Sequence, residues 1–150
     1  MSTRFTSTRS TYGRLVWLLL IAYSLVVCAL HFGGLEYDVY TQLWWWDLLT
    51  HSLSGIGVAA WLCLVPVVPL DARRPAAVVL TVLAIGAGFE VYEYLFKSFY
   101  VEWTVAYYAA DTVIDLVVDS LGALAFARWH GRQLRAQSTS SVRLSTEPAD

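Results

Sequence analysis

The run from Asp111 to Gly122 constrains the fold of this chain most, because it places acidic side chains inside an apolar segment. Asp111, Asp115 and Asp119 recur every four residues, so on a helix they share one face. Near mid-membrane each aspartate costs about 2.5–3.5 kcal/mol, whereas each Leu, Ile, Val or Phe contributes only about 0.3–0.6 kcal/mol. A helix built from this run is therefore a marginal membrane span alone, and it needs partners on its acidic face.

The composition indicates a membrane protein. Of the 150 residues, 57% are hydrophobic and 15% are charged, whereas about a quarter of the residues in a soluble domain are charged. Long apolar runs carry their charges mainly at their ends, and many aromatic residues lie there too, as in an interfacial belt. We expect a multi-pass protein of the cell membrane whose partners are membrane lipids and, as an open alternative, further copies of itself. The sequence has no basic patch of the kind that would indicate nucleic-acid binding.

Four apolar runs predict an all-α, polytopic membrane protein, a bundle of four transmembrane helices. The predicted spans cover residues 15–32, 48–69, 76–96 and 112–129. Nine arginines lie before the first span, between the second and third, or from the end of the fourth onward, whereas Lys97 alone lies in another loop. The positive-inside rule therefore predicts that both termini are cytoplasmic.

The predicted domain organisation is one membrane domain between two tails. It consists of a disordered N-terminal tail (1–13), a four-helix membrane domain (14–130) and a disordered C-terminal tail (131–150). Residues 97–110 are aromatic and are expected at the outer interface. Small residues let membrane helices approach closely, so we predict that four glycines lie at helix contacts, namely Gly55, Gly57, Gly86 and Gly88.

The polar residues of spans two, three and four fall at matching depth in this topology. His51, Glu90 and Asp115 each lie about 5–10 Å below the outer surface at about 1.5 Å per residue. The candidate metal ligands on these three spans are Asp47, His51, Glu90, Glu93, Asp111, Asp115 and Asp119. Six ionised carboxylates cannot share a low-dielectric pocket uncompensated, and no arginine lies at that depth. We therefore predict a divalent metal site, for Mg²⁺, Mn²⁺ or iron by its oxygen ligands, or for Zn²⁺ by its histidine.

Other roles for these residues stay open. The acids could be held protonated instead of binding a cation. Asp47 and Asp111 each precede an apolar run, where an aspartate can cap a helix N-terminus. Glu93 could be an acid exposed at the interface. His31, at the outer end of the first span, is expected as an interfacial residue.

Three segments together resemble the YjdF-type integral membrane proteins of bacteria and archaea. They are Asp47-Leu-Leu-Thr-His51-Ser-Leu-Ser-Gly55, then Phe89-Glu90-Val-Tyr-Glu93-Tyr94, then Asp111-Thr112-Val-Ile-Asp115 with Gly122-Ala123. The first also resembles the Asp-Lys-x-x-His motif of VanZ-like membrane proteins, with Leu48 in place of the lysine. The resemblance covers residues 44–127 and implies a predicted membrane protein of unknown function. Members of the YjdF type usually have more spans before the first segment.

Three functions remain open from the sequence, and whether the chain is an enzyme is undecided. The first is a metal-dependent enzyme that acts on a lipid or lipid-linked substrate from the outer leaflet, with His51 or Glu93 as the acid/base catalyst. The second is a cation- or proton-binding transporter-like protein, although the acids do not continue into the cytoplasmic half. The third is a non-catalytic membrane partner whose polar cluster fixes helix packing.

Overall fold

The computed structural model of the chain is all-helical over the residues that it describes. These are residues 4–65, 70–96 and 103–146, with side chains described for 13–65, 70–96 and 103–140. The helices are α1 (Arg4–Glu36), α2 (Val39–Gln42), α3 (Trp46–Leu64), α4 (Pro75–Phe96) and α5 (Val105–Thr146). The predicted second span, 48–69, ends too late, because α3 ends at Leu64 and the backbone of Val65 is extended. Residues 66–69, and residues 97–102 of the predicted interfacial segment, lie outside the described residues.

Three of the described helices are long and apolar enough to cross a membrane, namely α1 from Gly13 onward, α3 and α4. The outer surfaces of α1 and α4 carry large apolar side chains, for example Leu18, Leu25 and Leu80, each 64% or 65% exposed. Exposing such a surface to water would be unfavourable, whereas the hydrocarbon of a bilayer solvates it. α5 is longer than any of these, but its three aspartates and following arginines lower its hydropathy.

Both terminal helices extend beyond the predicted spans. α1 begins at Arg4, and α5 continues to Thr146, so helix extends into residues for which the sequence predicts disordered tails. No proline interrupts either extension, and residues such as Arg132, Leu134 and Arg135 are good helix formers. The division into a membrane domain and two tails remains a prediction.

Helix α3 is the central element of the bundle. It packs against α1 on one side and α5 on the other, and α4 packs mainly on α5. Two hydrogen bonds join α1 to α3: the Tyr23 hydroxyl donates to the Leu53 carbonyl (2.8 Å), and Trp61 Nε1 donates to Ser24 Oγ (2.9 Å). α1 and α4 therefore flank the same region of α3.

Small residues set the distance between α3 and α5. Gly55 faces the backbone of Asp119, and Gly122 faces the backbone of Ser52, so closely that a Cβ at either glycine would overlap it. Below this crossing, toward the C-terminal end of α3, a buried apolar cluster fills the bundle, made of Ala59, Val78, Val82, Ala123 and Ala127.

Three of the four glycines predicted at helix contacts lie there. Gly55 contacts α5, Gly57 faces the ring of Tyr23, and Gly86 faces Asp119 and Leu116. The prediction for Gly88 is wrong, because no atom would lie within 4 Å of a Cβ built there. Residues 86 and 88 are about 200° apart on a helix, and among the described residues α4 has close neighbours at Gly86 but none at Gly88.

Candidate functional site

The imidazole of His51 lies at the centre of a group of carboxylates. Its Nε2 is 3.6 Å from Asp47 Oδ1 and 3.8 Å from Asp115 Oδ1, and its Nδ1 is 3.5 Å from Asp119 Oδ2. Asp47 belongs to the same helix, whereas the other two carboxylates come from α5. His51 is the only cationic or potentially cationic side chain within ion-pair distance of these three acids among the described residues.

Helical spacing and the α3–α5 crossing assemble this group. Asp47 and His51 are four residues apart in the first turns of α3, so they share a face. Asp115 and Asp119 are likewise four residues apart on α5. The close approach at Gly55 brings the second pair against the first, because the backbone of Asp119 contacts that glycine.

Two carboxylate oxygens in the group are buried and have no hydrogen-bond partner. Asp115 is 3% exposed and Asp119 is 7% exposed, and Oδ1 of each lacks a partner. Buried polar atoms are nearly always hydrogen-bonded, so such orphaned oxygens are unusual. They indicate that a ligand or a proton completes the group.

The site fits a metal ion by its geometry and its donor set. Asp47, His51 and Asp115 each offer a ligand atom, and these atoms lie within 4.8 Å of one another. Two ligands of a tetrahedral ion, each about 2.0–2.2 Å from it, lie about 3.3–3.6 Å apart. The two separations from His51 Nε2, 3.6 and 3.8 Å, are close to this range.

Asp47 and Asp111 differ in their relation to the helix ends. Asp47 is the second residue of α3, whose N-cap is Trp45, so Asp47 does not cap the helix; its negative charge in the first turn interacts favourably with the helix dipole. Asp111 lies well inside α5, which begins at Val105. The capping role that the sequence allows for Asp111 is therefore excluded, because helix N-caps flank the first residue.

Glu90 is buried beside this group and has its own partners. Its Oε2 accepts a hydrogen bond from Thr112 Oγ1 (2.9 Å), and its backbone carbonyl accepts one from the Tyr108 hydroxyl (2.8 Å). Glu90 thus faces α5, and it is not one of the three residues whose ligand atoms converge, Asp47, His51 and Asp115. Glu93 and Asp111 are half-buried and lie within electrostatic reach of Glu90.

A second set of polar residues covers one end of the group, and the sequence did not identify it. The Tyr40 hydroxyl lies 2.8 Å from His31 Nδ1 and 3.2 Å from Oγ1 of the buried Thr50. Burial raises the pKa of Tyr40 to about 12, so its hydroxyl keeps its proton at neutral pH. α2 is thereby tied to α1 and α3. His31, expected as an interfacial residue, contacts Tyr40, which lies outside the three candidate spans.

An apolar cavity of about 410 Å³ adjoins the group. It lies over α3, between the C-terminal halves of α1 and α4. His51 and Asp119 form part of its wall, so the polar group is reached from it. Its other lining residues are mainly apolar, and they include Val27, Phe32, Val58, Val82, Ile85 and Phe89.

Comparison with known proteins identifies a family. A family model described as a predicted membrane protein (DUF2238) matches residues 6–136, which confirms the resemblance to the YjdF type. No curated protein and no solved structure matches the chain. The family match and the three candidate spans agree in identifying a multi-pass membrane protein.

Proposed function

This chain belongs to the DUF2238 family of predicted membrane proteins, and we propose that it is a metal-dependent enzyme acting on a lipid of the outer leaflet. In this proposal α1, α3, α4 and α5 each cross the membrane once, with both termini in the cytoplasm. α5 is the fourth span, and its acidic face is covered by α3 and α4. The arginine distribution supports this orientation.

One observation carries the proposal: three carboxylates surround one imidazole, and two of their oxygens are buried without partners. Burying an uncompensated acid in a low-dielectric site costs several kcal/mol. Even a neutral polar group that is buried without a hydrogen bond costs about 2–7 kcal/mol. A divalent cation would offset the charge of the carboxylates and would accept a lone pair of the orphaned Asp115 Oδ1. No described arginine or lysine offers that compensation to Asp47, Asp115 or Asp119.

The geometry supports distinct roles for the residues around His51. Asp47 Oδ1, His51 Nε2 and Asp115 Oδ1 would hold the cation. Asp119 Oδ2 would accept a hydrogen bond from His51 Nδ1–H, which fixes the ring and leaves the lone pair of Nε2 for the cation. A cation so held would polarise a carbonyl or phosphoryl oxygen as a Lewis acid.

Glu93 is the acid/base catalyst in this proposal. If Nε2 of His51 holds the cation, the ring cannot also transfer a proton from that atom. Glu93 is half-buried and lies within electrostatic reach of Glu90, Asp111 and Tyr40. It is thus placed beside the group without being one of the three converging ligands.

Transport is less well supported. A transporter needs a polar route from the acids toward the opposite membrane face. On the side of the predicted cytoplasmic ends, the described core consists of alanines and valines, namely Ala59, Val78, Val82, Ala123 and Ala127. These residues leave the acidic group without a polar continuation toward Arg73 and Arg74.

The test is lipid turnover by the purified full-length protein in vesicles of phosphatidylethanolamine and phosphatidylglycerol. We expect lipid products, detected by mass spectrometry, that disappear on chelation and return when Mg²⁺, Mn²⁺, Fe²⁺ or Zn²⁺ is restored. Asp115→Asn should abolish turnover. Asp38→Asn is the matched control, because Asp38 is exposed and its left-handed backbone (φ 56°) suits asparagine. Turnover that survives both chelation and Asp115→Asn would contradict the proposal.

A further inference from the structure

The cavity over α3 has a shape and a chemistry that suit one ligand class. We propose that it binds a single acyl chain of an outer-leaflet phospholipid, with the polar part of that lipid beside His51. The reaction of this lipid rests on the proposed function, whereas the binding of its chain does not.

The length of the cavity matches one leaflet. Along α4 its lining extends from Val82 to Tyr92, which is about 15 Å at about 1.5 Å per residue. The hydrocarbon core of a bilayer is about 30 Å thick, so one leaflet contributes about 15 Å. A chain that enters from the outer leaflet would therefore lie alongside the full length of the cavity.

Polar side chains of the lining lie toward one end of this length. Near the N-terminal end of α3 the wall includes Thr50, His51 and, from α1, His31, together with Phe32 and Phe89. At the other end it consists of Val58 and Val82. An amphiphile with its head toward the first end and its hydrocarbon toward the second satisfies both parts of the wall.

The cavity is open toward the surroundings of the bundle. Phe32, Ile85 and Tyr92 line it and are nevertheless 63%, 46% and 49% exposed. They lie on α1 and α4, the two helices that flank the cavity. A lipid chain could therefore enter sideways from the bilayer, without passing through water.

The volume of the cavity is typical of a ligand pocket. About 410 Å³ lies within the range of about 300–1,000 Å³ that is usual for such pockets. A thin, flexible hydrocarbon chain is therefore a ligand of suitable size.

Photocrosslinking tests the proposal directly. The full-length protein is placed in vesicles that contain a phosphatidylcholine with a diazirine in one acyl chain, then irradiated, digested and analysed by mass spectrometry. We expect adducts on Val27, Cys28 and Val58 at least about tenfold more often than on Leu25 and Leu80, which are more exposed but lie outside the cavity. Equal labelling of all exposed apolar residues would overturn the proposal.

Two tryptophan variants provide the matched comparison. Ile85→Trp fills the cavity and should reduce the adducts on Val58 about tenfold, whereas Leu80→Trp, at an exposed position of the same helix, should leave them unchanged. Cys28→Trp, also in the lining, should act like Ile85→Trp. Adducts unaffected by both filling variants, or crosslinks between Cys28 residues of two copies in place of lipid adducts, would contradict an acyl-chain site.

Adducts that persist in Asp115→Asn would support the acyl-chain site even if that variant and the wild type show no metal-dependent turnover.

Discussion

The two ring nitrogens of His51 face different carboxylates, and this difference assigns separate roles to the aspartates of α5. Nε2 faces Asp47 and Asp115, whereas Nδ1 faces Asp119. The sequence predicts all three aspartates as metal ligands. The geometry favours Asp119 as the residue that orients the ring. Its carboxylate contacts Nδ1 of His51, whereas Nε2 faces the carboxylates of Asp47 and Asp115.

A variant of Asp119 tests that assignment. Asp119→Asn should lower metal affinity by about 10–100-fold without abolishing binding, as loss of a residue that orients a ligand does. Metal titration of the purified protein, followed by calorimetry, measures the effect against wild type and Asp38→Asn. Complete loss of binding, equal to that of Asp115→Asn, would instead make Asp119 a direct ligand.

The sequence identified the costly residues of the site better than their partners. Acids such as Glu90 and Asp115 are conspicuous in an apolar run, because an ionisable side chain inside a membrane is costly and usually has a function. Thr112, Tyr108 and Tyr40 were missed, since hydroxyl donors are common and inexpensive at helix surfaces. Their role depends on which helix faces which, and that information is not local in the sequence.

At the scale of the helices, glycine positions determine how closely α3 approaches α5. Gly55→Ala and Gly122→Ala should each destabilise the protein by about 1–3 kcal/mol, because a methyl group at either site would overlap backbone atoms of the other helix. Thermal unfolding in detergent, followed by circular dichroism, measures the loss.

Gly88→Ala is the control for these variants. No atom lies within 4 Å of a Cβ at this site, so alanine should be neutral or should stabilise the helix by about 0.5–1 kcal/mol. Unfolding temperatures of Gly55→Ala and Gly122→Ala equal to that of Gly88→Ala would show that the α3–α5 approach is not close.

Hydropathy predicted the bounds of α4 more accurately than those of the acidic helix. The predicted third span, 76–96, agrees with α4 at Pro75–Phe96, because its apolar run ends where its helix ends. The predicted fourth span, 112–129, covers less than half of α5. Hydropathy detects the part of a helix that is apolar, whereas backbone hydrogen bonding continues through its polar ends.

For the whole molecule, the order of crossings can be tested with single cysteines. Cys28 and Cys63 are free thiols and are first replaced by alanine. A cysteine at Glu36 should then react with an impermeant maleimide from outside intact cells, whereas one at Asp71 should react only after lysis, as the arginine distribution predicts. Equal labelling of both positions from outside would contradict four spans with cytoplasmic termini.

If the group around His51 holds a divalent cation, as we propose, elemental mass spectrometry of the purified full-length protein will detect it. The protein is equilibrated with Mg²⁺, Mn²⁺, Fe²⁺ or Zn²⁺ in separate samples and then desalted. We predict that wild type and Asp38→Asn each retain at least one ion per chain with one of these metals, and that Asp115→Asn retains none, because Asp115 is one of the three residues with converging ligand atoms. Wild type without any retained metal, or Asp115→Asn with as much as wild type, would contradict the claim.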